Sequence, residues 1–117
     1  MPTPALDLDE LVDRLGGDRE AVAEIIQIFI EDTPARIEEI RRGDPALTAR
    51  AVHTIKGSAG NLVAIPASEA AAALEQAMRH GDEAAVEAAR ARLLVEMDRL
   101  MADLSRARDV LTSGGGS

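Results

Sequence analysis

Residues 19–42 read REAVAEIIQIFIEDTPARIEEIRR, and the apolar positions in this stretch decide the fold. Val22, Ile25, Ile26, Phe29, Ile30, Thr33, Ile37 and Ile40 recur at steps of mostly three and four, the period of one face of an α-helix. The stripe keeps its phase across Pro34, so one long helix is expected. It should kink where the proline removes a backbone hydrogen bond and its ring presses on the carbonyl of Ile30. Asp18 stands where a cap is needed, and Gly43 ends the run. Upstream, Leu8, Leu11, Val12 and Leu15 mark a short amphipathic helix over Asp7–Leu15, stopped by Gly16-Gly17. Residues 1–5 read as a disordered lead-in.

Downstream the same period repeats three times. Asp44-Pro45 is a cap followed by proline at the first helical position. It opens a helix to about Leu62 with Leu47, Ala51, Ile55, Ser58 and Leu62 on one face. Pro66 opens the next, whose stripe is Ala67, Ala70, Ala71, Leu74, Ala77 and Met78; its small residues invite a close neighbour. After His80-Gly81-Asp82 the last helix runs to Leu111, its stripe being Val86, Leu93, Met97, Leu100, Leu104, Ala107 and Leu111. No strand pattern appears. Four long one-sided helices need one another, so the expectation is an all-α antiparallel four-helix bundle with a short additional N-terminal helix. The bundle should occupy residues 1–111, with 112–117 a flexible Gly/Ser tail.

At 117 residues the chain is one domain,. Its net charge of −8 argues against nucleic acid or an anionic membrane as partner,. Phe29 is the sole aromatic residue, which excludes stacking platforms for bases and an aromatic-lined cofactor pocket. With no Cys, disulfides and thiolate metal sites are excluded,. No apolar run approaches the ~20 residues of a membrane span, and no signal peptide is evident, which points to the cytoplasm. Met1 and the short ends favour a free-standing protein, expected to be a monomer.

Lys56 is the only lysine among 13 basic residues, and it lies three positions from His53, one of only two histidines. At ~100° per residue, His53 points about 160° and Lys56 about 140° from the core direction of their helix, so both should be in solvent. Their neighbours on that face are Ala49, Gly57, Gly60 and Ala64. An exposed helix face ordinarily carries long polar side chains, and each interior glycine costs up to about 1 kcal/mol relative to alanine. A face cleared in this way allows a partner protein to come close. An exposed imidazole is a nucleophile at neutral pH, since the ring ordinarily titrates near pH ~6.5. A phosphoryl group on it would lie one turn from the compact charge of Lys56. His80, followed by Gly81 at a helix end, reads instead as a surface residue that interacts favourably with the helix dipole.

The segment Ala51-Val52-His53-Thr54-Ile55-Lys56-Gly57-Ser58-Ala59-Gly60-Asn61-Leu62 resembles the signature of the histidine-containing phosphotransfer (HPt) domain, His-x-x-Lys-Gly-Ser/Ala followed by Asn-Leu-Gly. His53, Lys56, Gly57, Ser58, Asn61 and Leu62 match it, and Val63 stands where the family commonly has Gly. Phe29–Pro34 and Leu74–Asp82 resemble the family more loosely. The resemblance implies a relay in multistep two-component signalling. His53 would accept a phosphoryl group from a receiver-domain aspartate and pass it to another, with Lys56 supplying phosphoryl electrostatics. Ala49, Gly57, Gly60 and Ala64 would form the docking face. It implies response-regulator receivers and a histidine kinase as partners. No cofactor would be bound by this chain, and Mg²⁺ would sit on the partner receiver. The protein would be a carrier without its own ATP site rather than an enzyme.

Alternatives remain open at this point. The chain could be a phosphoacceptor domain excised from a hybrid or chemotaxis-type kinase, or a non-phosphorylated helical adaptor. A kinase dimerisation domain fits poorly, because Thr54-Ile55-Lys56-Gly57 follows the histidine instead of that family's acidic-Leu-basic-Thr-Pro pattern. A metal-binding bundle is disfavoured because neither histidine has a Glu three residues before it,.

Overall fold

Aspartates set where four of the helices begin. The side chains of Asp7, Asp18, Asp44 and Asp82 accept hydrogen bonds from the backbone N–H groups of Glu10, Ala21, Leu47 and Ala85 at 3.0–3.2 Å, each relieving one unpaired donor of a first turn. A computed structural model describes residues 3–113. Its elements are α1 (Leu8–Arg14), α2 (Arg19–Arg42), α3 (Pro45–Asn61), α4 (Ile65–His80) and α5 (Glu83–Ser113). No strand occurs among the described residues. Gly43 and Gly81 close α2 and α4 at φ 79° and 72°, the left-handed conformation that glycine adopts without a Cβ penalty.

α2 continues through Pro34, and Phe29, Thr33 and Ile40 are buried on either side of it. Helix α3 lies between α2 and α4, α4 packs on α5, and α5 returns to α2, while α1 leans on α2. Ile26, Val52, Ile55, Leu74, Leu93, Met97, Leu100 and Leu104 are fully enclosed between them. α4 contributes mainly Ala67, Ala70 and Ala71 to this core, each at most 1% exposed. Those methyl groups allow α3 and α5 to approach α4 closely. At ~1.5 Å per residue, the 31 residues of α5 account for most of the 51 Å long axis.

Several expectations need correction. The lead-in is partly packed: Ala5 is 2% exposed, and the Thr3 carbonyl accepts from Arg99 at 3.3 Å. Met1 and Pro2 lie outside the described residues. Helix α5 includes Thr112 and Ser113 and so passes the expected boundary at 111; residues 114–117 lie outside the described residues. On α3 the buried face is turned from the expected one. Thr48, Val52 and Ala59 join Ala51 and Ile55 in the interior, whereas Leu47 is 36% exposed and Ser58 half-buried. The cause is that α3 touches two neighbours, so its small residues on the α4 side are covered as well as its large ones.

The end of α3 is also informative. The Ala64 N–H donates to Ala59 at 2.8 Å and the Val63 N–H to Gly60 at 3.1 Å, the paired closure of a Schellman motif. That motif needs a left-handed residue at its turn, and Val63 takes φ 58° there. A β-branched residue is strained in that region. Val63 is 7% exposed, so its burial in the core offsets the strain.

Candidate functional site

His53 lies near the middle of α3, and its side chain is 74% exposed. Its Nδ1 is 3.1 Å from Oε2 of Glu75 on α4. A carboxylate only accepts, so Nδ1 carries the proton in this pair. Nε2 has no protein partner among the described residues, and it is therefore the nitrogen with a free lone pair.

Lys56 is not free in solvent, as the helical angles suggested. Its side chain is 36% exposed and its Nζ donates to Oε1 of Glu75 at 2.6 Å. The turned face of α3 explains this, because it places Lys56 at the seam with α4. The seam itself is close: Ser68 Oγ on α4 donates to the Lys56 carbonyl at 3.2 Å. A Cβ at Gly60 would stand 3.7 Å from that Oγ.

Glu75 thus joins both residues. Its side chain is only 19% exposed, and Arg79 Nη2, one turn further along α4, stands 3.6 Å from the same Oε1. The carboxyl is held below its ordinary range. The hydrogen bond from Lys56 is the largest cause and that from His53 the next, while partial burial acts in the opposite direction,. Glu75 was missed in the sequence. The available signal was an acid set at the edge of an alanine stripe, with Ala71 and Met78 along the same ridge. Recognising it required knowing that this edge faces Lys56.

The expected docking residues separate into two groups. Ala49 and Gly57 are exposed, and a Cβ at Gly57 would meet nothing within 4 Å. Gly60 is half-buried, and a Cβ there would make only ordinary contact with Ser68 of α4. Ala64 does not belong to an outer face: it is 0% exposed, because the chain turns inward after Leu62 to begin α4. His80 is exposed in the last turn of α4, just before Gly81, as expected of a helix-end residue.

α2 and α3 leave an open groove of about 200 Å³ between Ile28, Phe29, Asp32, Arg36, Thr54 and Ser58, reaching the residue after His53. Ile25 and Ile28 on its rim are 37% and 58% exposed and give the groove an apolar edge. No group of metal-ligating side chains occurs among the described residues, and none of the helices there is long and apolar enough to cross a membrane. The arrangement presents one uncovered imidazole nitrogen, a carboxylate behind the ring and a cation one turn away. The sequence model of the Hpt domain matches residues 24–107, from within α2 to late in α5. No curated protein and no solved structure matches the chain.

Proposed function

The chain belongs to the Hpt domain family, whose members carry phosphoryl groups in two-component signalling, and from that premise we propose that it is the histidine phosphotransfer protein of a multistep phosphorelay. The observation that carries the reading is the exposed His53 ring, its Nδ1 proton held by Glu75 and its Nε2 uncovered. In this reading the Nε2 lone pair attacks the phosphorus of a receiver's aspartyl phosphate. An N–P bond forms as the P–O bond to the aspartate breaks, and that electron pair leaves on the aspartate carboxylate. Nδ1 keeps its proton throughout. The positive charge that develops on the ring is met by the Glu75 carboxylate, in the way a buried acid supports an imidazolium. Transfer to the next receiver is the reverse reaction.

This chain supplies the nucleophile, its orientation and a nearby cation. The receiver would supply Mg²⁺ and most of the transfer catalysis, and a histidine kinase would load the relay, so the protein acts as a carrier rather than an enzyme. The shared neighbours of α2–α5 support reading the helices as an antiparallel four-helix bundle with α1 appended: Lys56 meets Ser68 and His53 meets Glu75, while Gln27 of α2 meets Arg108 near the end of α5. The groove beside Thr54 and the exposed Ile25 and Ile28 extend the surface on which a receiver would dock. We place the protein in the cytoplasm, as a monomer, where receivers and kinase domains operate.

Incubation with phosphorylated receiver domains tests the proposal. Wild type and His80→Gln should take up acid-labile label, and His53→Gln should fold and take up none. Label on the His53→Gln protein would refute the assignment, and absence of uptake by wild type from every receiver tested would favour an adaptor.

A further inference from the structure

Two cations converge on one oxygen of Glu75. Lys56 Nζ lies 2.6 Å and Arg79 Nη2 3.6 Å from Oε1, while His53 Nδ1 takes Oε2. Lys56 is at hydrogen-bonding distance; Arg79 stands just outside it, with 71% of its side chain exposed. As an isolated surface pair at i,i+4 this contact would contribute little to folding. Its position behind the ring gives it a different use.

The two nitrogens of an imidazole direct their lone pairs widely apart. Glu75 and the Lys56 ammonium lie on the Nδ1 side, and a phosphoryl group would form on Nε2. The Lys56 ammonium donates to Oε1 in the free protein, and in swinging toward that group it would loosen this contact. Glu75, 19% exposed, would then lose the contact that contributes most to keeping it ionised. At that moment the ring most needs the carboxylate, because phosphorylation at Nε2 with Nδ1 protonated leaves the ring cationic. Arginine one turn C-terminal to a glutamate on the same helix is oriented to take over, and its planar fork matches a carboxylate.

We infer that Arg79 is a positioning residue for phosphoryl carriage, which takes over Oε1 of Glu75 when Lys56 turns to the phosphoryl group on His53. The inference rests on the phosphocarrier reading above. Lys56 and Arg79 exchange duties: one holds Glu75 in the free protein, the other in the phosphorylated protein. Glu75 keeps the Nδ1 proton in both states, and the phosphorylated ring stays in its protonated form, from which neutral imidazole is the leaving group.

The full chain can be loaded with phosphoramidate, which transfers its phosphoryl group to imidazole and releases ammonia, so no receiver is needed. Long-range ¹H–¹⁵N spectra then follow the Nδ1 proton of His53 through a pH titration in wild type, Arg79→Gln and Arg79→Lys. The charged groups on the elements around the ring are Lys56 and, one turn before His53, Arg50 on α3, Glu75 and Arg79 on α4, and Asp32 and Arg36 of α2, which line the groove that reaches Thr54. In Arg79→Gln the titration midpoint of the phosphorylated ring should fall by about 0.5–1 pH unit, because a loosened Glu75 supports the proton less well. Arg79→Lys should restore most of the shift. The unphosphorylated spectra should be unchanged, since Lys56 still holds Glu75 there. The sign is diagnostic, because removal of a positive charge acting through its field alone would raise the midpoint. A midpoint that is unchanged or raised, or spectra altered equally before and after loading, overturns the inference and leaves the phosphocarrier reading intact. Failure of wild type to accept a phosphoryl group from phosphoramidate or from any receiver overturns both.

Discussion

Replacing Gly57 with glutamine should move folding and function in opposite directions. Gly57 is helical and exposed, and a Cβ there meets nothing within 4 Å. The full propensity difference between glycine and glutamine is therefore available, about 0.6 kcal/mol in favour of glutamine. Unfolding entropies near ~2.1 cal/mol/K per residue convert this, for a domain of this length, into a Tm raised by about 2–3 °C. Side chains on a helix lean toward its N-terminus, so a glutamine at 57 lies back over His53, one turn earlier. A docking receiver would have to order or displace it, at roughly 0.5–1.5 kcal/mol for the side chain alone, and would lose contact with the surface beneath. Together these effects correspond to a transfer rate lower by about tenfold or more, since each ~1.4 kcal/mol is a factor of ten. Stopped transfer from a labelled receiver gives the rate, and thermal melts followed by circular dichroism give the stability. Gly57→Ala serves as control: it should be stabilised more, by about 0.8–1 kcal/mol, with a smaller loss of transfer. Transfer by Gly57→Gln at the wild-type rate would refute the cleared-face reasoning, and a lowered Tm would refute the reading of Gly57 as an unstrained helical position.

Three further outcomes are expected. Lys56→Ala should slow transfer several-fold with a small loss of stability, and Lys56→Arg should keep part of the rate; equal rates for wild type and Lys56→Ala would remove Lys56 from the mechanism. Glu75→Gln should destabilise the protein above about pH 4.5, the ordinary value of a glutamate carboxyl. A depressed carboxylate contributes stability above its unfolded pKa and loses it as pH falls through the folded one, so melts of the two proteins should converge in strong acid; a gap that persists there would assign the effect to packing. Val63→Gly should change stability by only about 1 kcal/mol in urea melts, because relief of roughly 1–2 kcal/mol of left-handed strain offsets most of the ~2 kcal/mol lost with a buried valine side chain. Val63→Ala should cost at least as much as Val63→Gly, and a Val63→Gly loss of 3 kcal/mol or more would contradict the strain.

Every helix and the bounds of α2 were legible in the sequence because their causes are local. Asp18 and Asp44 cap with their own side chains, Gly43 and Gly81 end helices by their own φ, and periodicity three to four residues apart is a property of one helix. The spacing of His53, Lys56 and Gly57 was legible for the same reason, as was the exposure of His53. The sequence alone therefore determined the helical class, the exposed histidine and the bare position beside it. The tertiary structure decided what required a second helix. Lys56 lies on the seam with α4 because α3 is flanked on two sides, and Ala64 is buried because a strained Val63 turns the chain inward. Glu75 becomes part of the site only because α4 runs past α3 with its alanines close enough to bring a carboxylate 22 positions away to the imidazole. Helical angles calculated one helix at a time measure direction from an axis. They carry no information on which neighbour stands in that direction, and the charge behind His53 depends on that neighbour.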